Sequence, residues 1–314
     1  MSEIFSYMLT VSTQVLILFI LIAVGFTLTK VKMLGEAGAK QITNLVLYFV
    51  TPAVILKAFV GGEVENTPEN IKSLGIAVVA ALISHAVALL IGLAFFHKHD
   101  RESNLQVCAV MMSNCGFMSL PLAQAVLGDK GVFIVTIYVG IFNIITWTLG
   151  VRLISGKRVS IRHAILNPGV LSATAGIVLF LCGVNLSGLT VIMEPIRHLA
   201  ALNTPLPMIV IGYYLANTSL RLRKGDGTMF TTVLLRLVAA PAVTMLLLRL
   251  IGITGLSLSA GVLPACAPVA VTVMMLATSF DSDAEGISRT VSLSHVVSII
   301  TMPIMLVICK LIGG

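Results

Sequence analysis

The chain has 314 residues, of which 57% are hydrophobic and 11% charged, with a formal net charge of +7. Soluble domains carry about 25% charged residues, and 20 basic plus 13 acidic side chains are too few to cover a globule of this length. The basic residues lie in short loops between apolar runs and make no single face, which excludes nucleic-acid binding as the source of the charge. Runs of roughly 20 apolar residues, instead of roughly 10 of alternating polarity, exclude a transmembrane barrel and require a lipid bilayer as partner.

In chain order the apolar runs predict ten membrane spans, at approximately 8–29, 39–59, 71–96, 105–128, 131–153, 168–184, 199–217, 229–251, 256–279 and 287–312. The first is too long for a signal peptide, and Lys30 and Lys32 follow its apolar run where a signal peptide's basic residues would precede it. The stretch 189–198, with Glu194 and Arg197, reads as an interfacial lead-in to the seventh span. The connections are too short for a soluble domain. The five cysteines all fall in apolar runs without a CxxC pair and read as buried small hydrophobes.

Orientation follows from the loops. Lys30, Lys32, Lys98, Arg101, Arg152, Lys157, Arg158, Arg162, Arg221, Arg223 and Lys224 gather in the odd-numbered connections, whereas 60–70 carries Glu63, Glu65 and Glu69. Lys and Arg accumulate on the cytoplasmic side. Both termini are therefore predicted to face outward from the cytoplasmic membrane.

The spans divide into residues 1–153, a cytoplasmic linker 154–167, and residues 168–314. Five spans per half forces the second half to be inverted relative to the first, an arrangement common in secondary carriers. Thr51-Pro52 recurs as Thr204-Pro205, 153 residues later, and Asp129 recurs as Asp281, 152 residues later. At that offset Asn114–Gly116 falls on Cys266–Pro268. Span 4 has Asn114, Gly116, Ser119 and Pro121 within two turns, and span 9 has Pro264 and Pro268 one turn apart. Proline removes a backbone donor and clashes with the preceding turn. A single such proline merely bends a membrane helix, but two clusters in corresponding spans predict paired discontinuous helices. Opened backbone is tolerated in lipid only beside protein or a water-filled cavity.

At these residues the chain resembles the auxin efflux carrier family, which includes plant auxin exporters and bacterial malate permease-like proteins. The matching pieces are NCGFMSLPL at 114–122, NTPLPMIVIGYYLA at 203–216 and LPACAPVAV at 263–271. The resemblance implies an all-α carrier of ten transmembrane helices in two inverted five-helix repeats. It implies a scaffold of helices 1, 2, 6 and 7, a transport domain of helices 3–5 and 8–10 with broken helices 4 and 9 crossing, and elevator-type movement of organic anions. It places Asn114, Pro121 and Pro268 at the anion site, and the scaffold helices offer a homodimer contact. The large cytoplasmic loop of many plant members is missing here.

The residues themselves add candidates. Asn114 could contact substrate or cap a broken helix end. Pro121 and Pro268 are expected to open second half-helices, whose N-termini favour anions, although carbonyl ends brought to the same region oppose them. Span 10 carries Ser294, His295, Ser298 and Thr301 on one inward face, which could line a cavity or pack against a neighbouring helix. His85 and Asn143 lie at mid-depth in spans 3 and 5; a buried histidine bonded to a carbonyl is the plain alternative to a proton carrier. The candidate substrate shell is thus Asn114, Gly116, Ser119, Pro121, Asn143, Pro264, Pro268 and His295, with His85 and His295 as candidate proton-linked groups. Arg236, seven residues into span 8, is expected to snorkel to the interface. His97, His99 and Asp100 lack a fourth ligand, so neither metal nor cofactor is expected.

Three function classes compete. A carrier exporting small organic anions such as carboxylates fits the repeat and the paired breaks. An intramembrane enzyme would need more than Asp281 and Asp283, and a sensor would need an output domain. The runner-up is a sodium- or proton-coupled symporter of similar fold, of the bile-acid type.

Overall fold

A computed structural model describes residues 2–98, 100–156, 166–219 and 226–313. The linker residues 157–165, His99, and Arg221, Arg223 and Lys224 lie outside the described residues. In order, the α-helices are α1 (Ser2–Lys30), α2 (Glu36–Leu45), α3 (Thr51–Val60), α4 (Pro68–Phe95), α5 (Arg101–Met111), α6 (Leu120–Ile145), α7 (Val151–Ser155), α8 (Pro168–Leu181), α9 (Thr190–Ala201), α10 (Pro205–Asn217), α11 (Gly227–Leu234), α12 (Ala240–Leu250), α13 (Gly255–Val262), α14 (Val271–Ser279) and α15 (Ala284–Gly313). Among the described residues the only extended pairing is one antiparallel bridge, Ser113 to Val269.

Among the described residues, seven helical stretches are long and apolar enough to cross a membrane: Ile4–Lys30, Glu36–Val60, Pro68–Phe95, Cys115–Ser155, Thr190–Asn217, Gly227–Leu250 and Ala284–Gly313. This is a multi-pass membrane protein. The other three predicted spans fall short for two reasons. α8 has 14 residues, about 21 Å at 1.5 Å per residue, less than the ~30 Å hydrocarbon thickness. The predicted fourth and ninth spans are interrupted, at 112–114 and 263–270. The second part of the fourth runs on into the fifth as α6, bent at Gly128, whose φ of 67° suits only glycine.

Among the described residues, four π-turns widen these helices, at Val46–Val50, Cys115–Ser119, Thr146–Gly150 and Leu235–Ala239. Three of them end two residues before Pro52, Pro121 and Pro241. The physical reason is local: the proline ring displaces the carbonyl four residues back, and a wide turn absorbs the lost hydrogen bond without ending the helix.

α1 and α10 touch backbone to backbone. A Cβ on Gly25 would overlap the carbonyl of Ile209, and one on Gly212 would overlap that of Ile22, the small-residue contact that membrane helices use in place of hydrophobic driving force. α3 meets α8 where Gly176 admits the ring of Phe59, which continues into Phe133 and Phe180. α9 covers most of the stretch read as a lead-in but joins α10 in one stretch long enough to span; within it Arg197 pairs with Glu194 at 2.9 Å. Asp100 caps α5 by accepting from the Ser103 N–H at 2.7 Å, which holds its carboxyl below the usual carboxylate range. One cysteine departs from expectation: Cys182, at the end of α8, is exposed, while the other four are buried.

Candidate functional site

The two interruptions meet. After α5 the chain is extended at Met112, and after α13 a turn carries it to the extended Ala270. The two stretches run antiparallel: the Asn114 N–H donates to the Pro268 carbonyl at 2.8 Å, and the Ala270 N–H donates to the Met112 carbonyl at 2.9 Å. Between them, the Val269 N–H donates to Ser294 Oγ of α15 at 3.1 Å. Opened backbone deep in an apolar protein needs such partners, because each unpaired group costs several kcal/mol in hydrocarbon. Ser294 thus holds the crossing strand, a role between the lining and packing readings of its stripe. Ser294, His295 and Ser298 are fully buried.

The prolines sit differently from expectation. The helix resumes at Cys115, directly after Asn114, and Pro121 falls in the first turn of α6, past the π-turn. Pro268 lies in the crossing strand, with Ala270 preceding α14. The reason is that a π-turn lets the helix begin upstream of Pro121, whereas in span 9 the chain first completes a turn through Pro264.

Arg236 corrects another expectation. It does not snorkel: it is 1% exposed, in the π-turn before α12. Its Nη1 donates to the carbonyls of Val110 at 2.8 Å and Met111 at 3.4 Å, and its Nη2 to that of Ala265. Val110 and Met111 close α5, where carbonyls lack intrahelical partners, and Ala265 lies in the turn that follows α13. The guanidinium fork offers five donors, enough to meet both ends at once. A burial seven residues into the span became favourable because carbonyls there needed donors.

Asn114 Nδ2 lies 3.0 Å from His295 Nε2, and His295 Nδ1 lies 2.8 Å from the Val291 carbonyl. A carbonyl only accepts, so Nδ1 carries the hydrogen and Nε2 of the neutral ring accepts from Asn114. His85 makes the same i−4 bond, to Ala81 at 2.7 Å, and stacks 4.9 Å from Tyr138, whose hydroxyl meets Ser84.

Two cavities flank the crossing. The first, about 250 Å³, is lined by Ser113, Asn114, Gly116, Asn143, Ala270 and Thr272 together with α2, Thr51, Trp147 and the start of α8. It therefore touches the beginnings of both second half-helices. The second, about 360 Å³, is lined by Pro121, Gln124, Asp129, Lys57, Glu63 and Asn203, among others. Asn203 Nδ2 donates to the Gly116 carbonyl at 3.4 Å and so stands between the two. Of the candidate residues, Asn114, Gly116 and Asn143 share the first cavity, Pro121 faces the second, and Pro268 and His295 lie one bond behind Asn114. Ser119 is buried with its hydroxyl unpaired, and neither it, Pro264 nor His85 lines either cavity. Thr51 and Ser113, which sequence reasoning passed over, line the first cavity with buried hydroxyls, and that of Thr51 lacks a partner. Thr51 carried a signal in the repeated Thr-Pro; Ser113 carried none beyond its neighbour.

A family model described as membrane transport protein matches the chain twice, over residues 10–161 and 157–306. An uncharacterized transporter of Methanothermobacter thermautotrophicus is 24% identical over 294 residues, covering 92% of this chain and 95% of that one. An uncharacterized transporter of Methanocaldococcus jannaschii is 24% identical over 296 residues, with the same coverage.

Proposed function

The chain belongs to the membrane transport protein family, the auxin efflux carrier family that its motifs resemble, and from that premise we propose that it is a secondary carrier exporting small organic anions such as carboxylates. The observation that carries the proposal is the sorting of half-helix ends at the crossing. The first cavity meets the N-terminal ends, each worth about +0.5 charge toward an anion, and adds the Asn114 amide and the Ser113 and Thr51 hydroxyls. A volume of about 250 Å³ suits a small carboxylate. The second cavity, on the other side of the Gly116–Asn203 contact, is the other end of the path.

In this reading residues 1–153 and 168–314 are two five-span repeats of opposite orientation, joined by 154–167. Helices α1, α2–α3, α8 and α9–α10 form the scaffold and the homodimer contact, and the crossing moves against them as an elevator in the cytoplasmic membrane, with both termini outward. The double family match and the antiparallel crossing support the repeat. A proton-coupled version is the second reading, favoured by the bond between Asn114 and His295. The test is flux of radiolabelled mono- and dicarboxylates in proteoliposomes, with and without a pH gradient. Saturable flux is expected; none above empty liposomes for any acid refutes the anion reading, and flux absent without the gradient selects the proton-coupled one.

A further inference from the structure

Arg236 brings a full positive charge to the centre of the protein, and no described ion pair includes it. Its partners are backbone carbonyls where the two first half-helices break off, at the end of α5 and in the turn after α13. A helix end carries about −0.5 charge at its carbonyls and about +0.5 at its amides. Four half-helix ends meeting at one crossing would cancel, and the site would have no preference of sign. Here the carbonyls of Val110 and Met111 at the end of α5, and of Ala265 in the turn after α13, line neither cavity and face Arg236, whereas Gly116, Ala270 and Thr272 at the amide ends line the first cavity.

We propose that Arg236 is a specificity-determining positioning residue: its charge neutralises the two carbonyl ends, leaving the two amide ends to select an anion in the first cavity. The inference rests on the anion reading above. The buried, unpaired hydroxyl of Thr51 at that cavity is the independent sign that a polar ligand fits there. Arg236 does not line the cavity and acts through the backbone it holds.

Arg236→Gln keeps two donors for the carbonyls and removes the charge. In proteoliposomes with radiolabelled malate as probe, it is expected to raise KM at least tenfold, equal to about 1.4 kcal/mol, with kcat within about threefold of the parent. Arg236→Lys, which keeps the charge, is expected to restore KM to within about threefold. A merely structural role would lower the active fraction, and so the apparent kcat, at unchanged KM; that result overturns the inference while leaving the anion reading intact. If Arg236→Gln is not recovered folded, Arg236→Lys decides alone: KM near the parent's supports the charge role, and a tenfold rise at normal yield overturns it. Failure of both variants to fold makes the side chain structural and overturns it too. Absence of malate flux in the parent chain overturns malate as cargo and this inference with it, and is distinguished from the other outcomes by needing no variant.

Discussion

Replacing Asn114 by alanine separates binding from architecture at the crossing. The main-chain bond from the Asn114 N–H to Pro268 survives the change, so the strands stay paired. Two things are lost. One is the donor to His295 Nε2, a buried acceptor on a fully buried ring; leaving such a group unsatisfied costs about 1–3 kcal/mol of stability. The other is the amide's contact with the anion, and a hydrogen bond to a charged group contributes about 1.5–3 kcal/mol. At 1.4 kcal/mol per decade, that second loss raises KM by about 10- to 150-fold. The assay is initial flux of a transported carboxylate in proteoliposomes at matched protein density, with thermal stability measured in parallel. Ser294→Ala is the control: it orphans the Val269 N–H, so it should lower stability by a similar amount with KM within about threefold, because Ser294 lines neither cavity. An Asn114→Ala protein with unchanged KM at normal yield removes Asn114 from the substrate shell; its side chain makes no cap bond to the helix it precedes, so a collapse in yield assigns it to holding His295 instead.

Gly212→Val should sharply reduce folded yield, since its side chain would have to occupy the carbonyl of Ile22 and α1 would be forced off α10 at a cost of at least about 1–3 kcal/mol; normal yield and stability would refute the close contact. A single cysteine at Ser160, in a chain lacking native cysteines, should resist an impermeant maleimide in intact cells, and ready labelling from outside would reverse the proposed orientation. Replacing sodium by choline at fixed potential should leave flux unchanged, because no carboxylate is among the residues lining the first cavity, which the crossing strands border; a saturable, several-fold stimulation by sodium would defeat that expectation.

The breaks were legible because proline and glycine act locally. Asn114, Gly116 and Pro121 in one run and Pro264 and Pro268 in another mark lost backbone bonds wherever the chain later packs. Register was not legible. The repeat offset aligned Asn114 with Cys266, whereas the crossing pairs Ser113 with Val269, because span 9 makes an extra turn after α13 before it extends. The π-turns were hidden for a similar reason: a proline says that a hydrogen bond is missing, but packing decides whether the helix ends or widens. Arg236 was misread because depth alone cannot report demand. Counted by sequence it is about 10 Å from an interface, within a snorkelling arginine's reach, and only the three-dimensional meeting of two carbonyl ends makes burial the better solution. The cavity-lining hydroxyls lay on three different elements, with no spacing to connect them.

Arg236 also bears on the direction of transport in the elevator reading. The guanidinium is bonded to both interrupted helices and therefore travels with them. Holding one carboxylate, the moving unit's buried formal charge at the crossing sums to zero; empty, it is +1. The membrane potential then acts on the empty return and hardly on the loaded step, with about 2.3 kcal/mol per charge per 100 mV across the full field. A negative interior draws the empty, positive site inward, where it loads, and lets the neutral complex move outward, which is the condition for export. Two measurements follow. Imposing a negative interior should accelerate net efflux of a monocarboxylate, and should leave counterflow of labelled for unlabelled substrate, which uses only the loaded step, within about twofold. A counterflow rate as voltage-dependent as net efflux would place charge movement on the loaded carrier and refute the assignment of the compensating charge to Arg236.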